Sequence, residues 1–504
     1  MQQLSPMDAT FLYLENESTH AHGTLVWLYD ACDCDPSSIT RRALLEHMHS
    51  RLQVSPIFTR KVHRLPLDFD YPYWVDDPGF ELLYHIRELS LADTANWSDF
   101  CQVVSEVHSR PLDHNHPLWE LTLVTGLNGM DGLPDQCFAI LGKFHHVAID
   151  GATGMRIIEG IHDAPNRDRV ATQTETRAAP KPDLGASLYR AAIRNIGALD
   201  KSLGLLGLVA GDKPSRPAPS EDPVIPDPEQ DSGIPQTLFN QAISPEATWD
   251  SRGFELAEIK AMRRVVKGAT VNDILLAIVG GGLRHYLEYR DALPELSMKA
   301  GCPVNIRTES EAAAGGNMIS AIIVSMHTDV ADPLQRVQAI VRSSRAAKQR
   351  ASQRGSRKIL EIASVVPAQA QALLGRAVGV VAGRLNRAIK FNGSVSNLPG
   401  PQQELHMLGG RLQSIGAAMP VMHGYGLFVG LTTCAGELRI SLSSSANILP
   451  DPDQLGDYME LSYAELRGAI HRKTTQAETP VKQRKSSSGG ANKTAAGKPT
   501  RKTR

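Results

Sequence analysis

Short apolar runs separated by turn residues dominate the first part of the chain. Residues 24–29 (TLVWLY), 120–125 (ELTLVT) and 137–144 (CFAILGKF) are rich in Val, Leu, Ile and aromatic side chains, and each predicts a strand. Between them SSITRRALLEHMHSRL, from Ser37, has apolar residues at helical spacing behind a Ser cap. The second half repeats the mixture. TVNDILLAIVGGGLRHYLEYRDAL predicts a long helix capped by Asn272 or Thr270, while CPVNI, ISAIIVSM and ELRISLS predict strands. Strands mixed with helices in both halves indicate an α/β class, and no internal repeat is visible.

Residues 211–235 break this pattern. Pro214, Pro217, Pro219, Pro223, Pro226, Pro228 and Pro235 stand among acids and serines, a composition that cannot pack a core. The expected organisation is an N-terminal domain over residues 1–180, an amphipathic helix and Pro-rich linker over 181–240, a C-terminal domain over 241–471 and a disordered basic tail over 472–504. Residues 187–211 and 372–390 carry apolar residues at helical spacing with basic residues between, so each packs on the core or lies in a membrane interface.

Charge sharpens the division. The 504 residues hold 53 Lys and Arg against 54 Asp and Glu, a net charge of -1, yet the tail from Arg472 carries +9 and the remainder -10. A mildly acidic body excludes a dedicated nucleic-acid binder, whose basic charge would extend over the folded part. Six cysteines, most of them among apolar residues, make no disulfide framework and predict reduced thiols in the cytoplasm. The N-terminus lacks a basic start followed by an apolar run, so it is not read as a signal peptide. No stretch reaches the roughly 18 uninterrupted apolar residues of a spanning helix.

The stretch most informative about chemistry is KFHHVAIDG, residues 143–151. An apolar strand ends at Phe144, His145 and His146 follow, and Asp150 and Gly151 close a turn. A strand end feeding a tight turn holds a side chain rigidly while facing it toward a cavity, and imidazole suits proton transfer near neutral pH. The bland alternative packs one His in the core and uses Asp150 as a helix cap. Among His20, His22, His114, His116, His145, His146 and Asp150, three could also converge on one zinc. However, adjacent histidines on a strand point to opposite faces, and no pair has the i, i+4 spacing of a helical zinc motif, so no metal is expected.

HHVAIDG resembles the HHxxxDG signature of the acyl-CoA-dependent acyltransferases, a superfamily that includes chloramphenicol acetyltransferase, the carnitine acyltransferases and peptide-synthetase condensation domains. LSPMDATFLYLE (from Leu4), HPLWELTLV (from His116), TVNDILLA (from Thr270), PVNIR (from Pro303), GGN (from Gly315) and SVSNLPGP (from Ser394) resemble blocks of the bacterial wax ester synthase/diacylglycerol acyltransferase family, in the family's order. The resemblance covers residues 4 to about 470. It departs at LTTCAGELRI, where the family usually has a Ser-Tyr pair.

This resemblance implies two chloramphenicol-acetyltransferase-like domains of mixed sheets and helices, joined by a crossover linker, with an active-site channel at their interface. It makes His146 the general base, with His145 shaping the motif. Asp150 would pair with an arginine that holds the loop, and Arg307 is the candidate partner, against an ordinary surface arginine. Asn272 is either an oxyanion donor or a plain cap. Gly151, Pro117, Leu118, Trp119, Asp273, Ser396 and Asn397 would line the substrate site, although Trp119 also suits a core position. The implied substrates are long-chain acyl-CoA with diacylglycerol or a fatty alcohol. No cofactor is expected, since CoA arrives and leaves with the substrate. The implied location is cytoplasmic, peripheral on the inner membrane face or lipid droplets. The rival readings are a same-fold acyltransferase for another alcohol or amine, and a non-catalytic lipid-droplet protein.

Overall fold

A computed structural model of the protein describes residues 2–149, 151–164, 183, 185–193, 233–305, 319–353, 367–385, 391–401 and 403–478. Twelve of its strands form two mixed sheets: β1 (His22–Asp30), β2 (Ile86–Ser90), β3 (Trp119–Thr125), β4 (Cys137–His145), β5 (Ala247–Glu255), β6 (Lys299–Asn305), β7 (Ile319–Ser325), β8 (Gly393–Leu398), β9 (His406–Met407), β10 (Gly410–Ala418), β11 (Leu427–Cys434) and β12 (Glu437–Ser445). The helices that matter for the site are α1 (Pro6–Leu14), α2 (Trp97–Ser109), α3 (Gly151–Ile161), α4 (Val271–Tyr289), α5 (Ala368–Leu385) and α6 (Pro452–Glu478). Every run read as a strand from its apolar pattern lies in one, to within a residue at its end, over its described residues, Ile306 of CPVNI falling outside them.

The first sheet has the order β9-β10-β1-β4-β3-β2 and the second β7-β6-β8-β11-β12-β5. Sheet membership therefore does not follow the two halves of the chain. The hairpin β9–β10 leaves the second half and completes the first sheet, with Ile415 opposite Trp27 and Ala418 opposite Thr24. The sheets meet where this hairpin passes the Ser-rich strand β12. The N–H of Ala417 donates to Ser441 Oγ (3.1 Å), that of Met419 to Ser443 Oγ (3.0 Å), and Arg439 Nε to Ser414 Oγ (2.6 Å). Short hydroxyl side chains suit this seam because they let two backbones approach and still satisfy their polar groups.

Buried β3 and β4 carry almost continuous apolar sequence, as strands covered on both faces do. In the second lobe α4 runs through the core. Gly280 lies so close to the carbonyl of Met326 that a Cβ there would collide with it, which explains the glycines inside an otherwise apolar helix. A second tie between the lobes is α5 lying on α1, where Gln371 donates from Nε2 to the carbonyl of Pro6 (2.8 Å) and its Oε1 accepts from the Tyr71 hydroxyl (2.8 Å).

Two expectations are corrected. The helix expected from Ser37 begins later: residues 36–38 form one 3₁₀ turn capped by Asp35, and the α-helix Arg41–His49 is capped by Thr40, whose hydroxyl accepts the N–H of Ala43. The final helix continues through Glu478 instead of yielding to a disordered tail at Arg472. Its extension contains good helix formers, and the hydroxyls of Thr474 and Thr475 bond back to the carbonyls of Ile470 and His471. Among the described residues no helix is long and apolar enough to cross a membrane.

Candidate active site

Strand β4, the central partner of both β1 and β3, ends on His145 and hands His146 to the turn that follows. Gly23 and Trp119 both face Phe144 across it, and His145 is the last paired residue, opposite His22. Lys143, buried two residues before His145, donates from Nζ to the carbonyls of Val107 (2.7 Å) and Arg110 (2.8 Å), fastening the strand to the end of α2. Beyond it the backbone turns. The N–H of His145 donates to the carbonyl of Leu118 (3.1 Å), that of His146 to the carbonyl of Ala21 (2.8 Å), and that of Ala148 to the carbonyl of His145 (2.9 Å).

The two histidines have different surroundings, as opposite faces of a strand end require. His145 is fully buried. Its Nδ1 accepts the N–H of Val147 (3.0 Å), which assigns the ring proton to Nε2, and Nε2 lies 3.2 Å from Glu15 Oε1. His114 Nε2 meets the other carboxylate oxygen of Glu15 at 3.0 Å. Burial alone would raise the Glu15 carboxyl, but hydrogen bonding to His114 and His145 holds it well below the usual carboxylate range. Donor atoms of Glu15, His114 and His145 lie within 4.8 Å of one another, a spacing that could suit a cation. The tautomer of His145 argues for a hydrogen-bonded network instead, because its Nε2 carries the proton and has no lone pair for a metal.

His146 is half-buried and stacks on Phe11, with ring centroids 5.0 Å apart and planes 15° from parallel. Burial, and secondarily the neighbouring His145, push its imidazole down to about 4. At neutral pH it is uncharged and able to accept a proton.

On the second lobe the first turn of α4 and the end of β8 come together. Thr270 caps α4 and forms a capping box with Asp273: its hydroxyl accepts the Asp273 N–H (3.2 Å), and Asp273 Oδ2 accepts from both N–H (2.8 Å) and hydroxyl (2.7 Å) of Thr270. The cap is thus Thr270, not Asn272. Asp273, expected to line the substrate site, is buried with its carboxylate committed to the cap. Asn272 is exposed, and its Oδ1 accepts from Asn397 Nδ2 at 2.6 Å. Ser396 is half-buried beside it in sequence.

The PLW block divides. Pro117 and Leu118 are buried, and Leu118 packs with Leu4, Leu12 and Val147 beneath the histidine turn. Trp119 takes the core position: its ring lies flat on His85 (4.4 Å) and its Nε1 donates to the carbonyl of Phe58. Gly151 begins α3. Asp150, Arg307 and the GGN block lie outside the described residues. Phe11 and Glu15 carry no role expected from the sequence, and His114 only that of a possible zinc ligand. The available signal was the i, i+4 spacing of an aromatic and an acid at the end of a capped helix. A cavity of about 380 Å³ lined by Leu256, Pro401, Arg411, Thr433 and Gly436 contains none of these site residues.

Residues 4–275 match the model of the wax ester synthase/diacylglycerol acyltransferase catalytic domain and residues 315–467 that of the family's C-terminal domain, and the chain belongs to this family. It is 27% identical over 478 residues to the O-acyltransferase WSD of Acinetobacter baylyi, covering 93% of this chain and 98% of that protein. A probable diacylglycerol O-acyltransferase of Mycobacterium tuberculosis is 28% identical over 483 residues, with coverage of 93% and 100%. Among solved structures, the wax ester synthase/diacylglycerol acyltransferase of Marinobacter aquaeolei VT8 has the same fold, with a TM-score of 0.66 at 23% identity over 94% of this chain and all of the other.

Proposed function

We propose that the protein transfers a long-chain acyl group from acyl-CoA to the hydroxyl of diacylglycerol, of a fatty alcohol, or of both, forming triacylglycerol or wax ester. The observation that carries this reading is His146: a neutral imidazole, half-buried and held in one plane, at the turn of the family's catalytic motif. As the acceptor oxygen attacks the thioester carbon, its proton passes to His146 and the C–O bond forms. The carbonyl oxygen then carries negative charge. Collapse of this tetrahedral species breaks the C–S bond, and the His146 imidazolium protonates the departing CoA thiolate. No acyl-enzyme intermediate is needed.

Asn272 is the candidate donor to the developing oxyanion. Its Oδ1 is occupied by Asn397, which orients its own NH2 as the outward group. No metal or organic cofactor enters the scheme. The names of the relatives support both acceptor classes. Two features support a peripheral site of action on a cytoplasmic membrane face or lipid droplet: substrates that partition into lipid, and a basic C-terminal segment that can attract anionic headgroups.

The deciding assay supplies palmitoyl-CoA with hexadecanol and dioleoylglycerol separately, following thiol release and both lipid products. Thiol release matched by ester in at least one arm is expected. Hydrolysis without ester, or no turnover in either arm, overturns the reading.

A further inference from the structure

The block LSPMDATFLYLE contributes no reacting group to this scheme, yet it meets both histidines. Phe11 and Glu15 are four residues apart, on one side of the end of α1. Phe11 lies flat against His146 at 5.0 Å. Glu15 faces His145 at 3.2 Å and accepts the N–H of Ala21 at 2.9 Å, and the carbonyl of that same Ala21 accepts the N–H of His146 at 2.8 Å. Ring and backbone of His146 are thus both referred to one helix.

We propose that Phe11 and Glu15 are positioning residues for acyl transfer: Phe11 fixes the plane of the His146 ring, and Glu15, through Ala21 and His145, fixes the backbone from which that ring projects. The proposal rests on His146 being the base. The χ2 torsion of a histidine has broad minima, so an imidazole without a flat neighbour samples many planes. A base must meet the acceptor hydroxyl within hydrogen-bond reach, and small misplacement costs rate steeply. Glu15 meanwhile holds the proton-bearing Nε2 of His145 on its own side, leaving Nδ1 to accept from Val147 and close the turn that carries His146.

Helix α1 is itself rigidly mounted, as a template must be. Ser5 caps it, Gln371 of α5 bonds to its first turn, and Gly375 of α5 packs so close to Tyr13 that a Cβ would touch its side chain and carbonyl at 3.0 Å.

The test measures kcat, KM for palmitoyl-CoA and melting temperature in Phe11→Leu, Phe11→Tyr, Glu15→Ala, Glu15→Gln and His145→Ala, with His146→Ala alongside. Phe11→Leu keeps bulk and loses the flat ring, so kcat should fall about tenfold or more with KM within about twofold, while Phe11→Tyr stays within about threefold of the parent. Glu15→Ala should lose about thirtyfold in kcat and Glu15→Gln less, since the amide still accepts from Ala21. Combined with His145→Ala, the Glu15→Ala penalty should be smaller than in the parent, because the two act through one path. The proposal is overturned if the two Phe11 variants behave alike, if the losses appear in KM alone, or if the Glu15 and His145 penalties multiply independently. Should Glu15→Ala fail to fold, Glu15→Gln and the Phe11 pair still decide. An inactive His146→Ala beside a fully active Phe11→Leu rejects the positioning role, whereas an active His146→Ala rejects the base assignment itself.

Discussion

The side-chain amide of Asn397 donates to Oδ1 of Asn272 across 2.6 Å, tying a strand end to the first turn of a helix 125 residues earlier. One hydrogen bond thus fixes which end of the Asn272 amide remains to donate. Asn272→Ala should lower kcat by about a hundredfold, the usual scale for a lost oxyanion donor. Asn397→Asp should cost nearly as much, because its carboxylate cannot donate and would turn the Asn272 amide around. Steady-state rates on both variants check this, and a kcat within twofold of the parent for Asn272→Ala rejects the donor role.

His146→Ala should lower turnover by about a hundredfold or more while the protein still melts cooperatively. His145→Ala removes a fully buried ring from the Glu15 network, so it should lower the melting temperature as well as activity. Paired calorimetry and rate measurements separate the two patterns. The assignment fails if His145→Ala abolishes activity at unchanged stability while His146→Ala remains active.

Acid should destabilise the fold before neutral pH matters to catalysis. Burial pushes His85, His146 and His162 down to about 4 and His108 to about 3, against an ordinary value of 6.5. Between those values the unfolded chain binds protons that the folded chain excludes, so stability is complete above about pH 6.5 and falls as pH drops toward 4. Melting temperature measured from pH 8 to pH 4.5 should trace that decline. Turnover, which needs neutral His146, should be flat in its ionisation from pH 6 to 8. A melting temperature that rises on acidification contradicts the sign.

Gly400, in the SVSNLPGP block, sits against the carbonyl of Thr433 with no room for a Cβ. Gly400→Ala must move backbone, at a cost of about 1–3 kcal/mol, and will shift the end of β8 that carries Asn397. Both melting temperature and kcat should fall; denaturant unfolding beside a rate assay would show it. Loss of neither would mean that the strand end yields freely.

Because the final helix extends to Glu478, a clean test of the basic segment removes residues 479–504, which hold eight Lys or Arg and no acid. Turnover on detergent-dispersed substrate should be nearly unchanged. Binding to anionic vesicles should weaken at low salt, and the difference should shrink as salt rises. Equal sedimentation of both forms with vesicles at low salt rejects a membrane role for the segment.

What the sequence made legible was local. The strands of the first half, the Thr270 helix and the histidine turn are each set by neighbours along the chain, so an apolar run or a capping residue reveals them. The network of Glu15, His114 and His145 was not legible, since its members come from three segments that meet only through the register of β1, β4 and β3. Trp119 shows a further limit: an apolar block indicates burial, but only packing says whether the ring faces a pocket or the core. Asp273 similarly reads as a site residue until the Thr270 hydroxyl and N–H are seen to claim it.

The hairpin spanning residues 406–418 has a consequence for biosynthesis. Until the ribosome has passed it, β1 has no neighbour on one side, and its sequence HGTLVWLYD is a largely buried, aromatic-rich strand in the finished protein. At the usual pace of synthesis this open edge persists for on the order of tens of seconds after β4 has emerged. An unpaired apolar edge is a template for association with other chains. The nascent chain therefore passes through a stage in which that edge is open to other chains, and slowing translation upstream of residue 406 is expected to lower soluble yield even when the completed protein is stable.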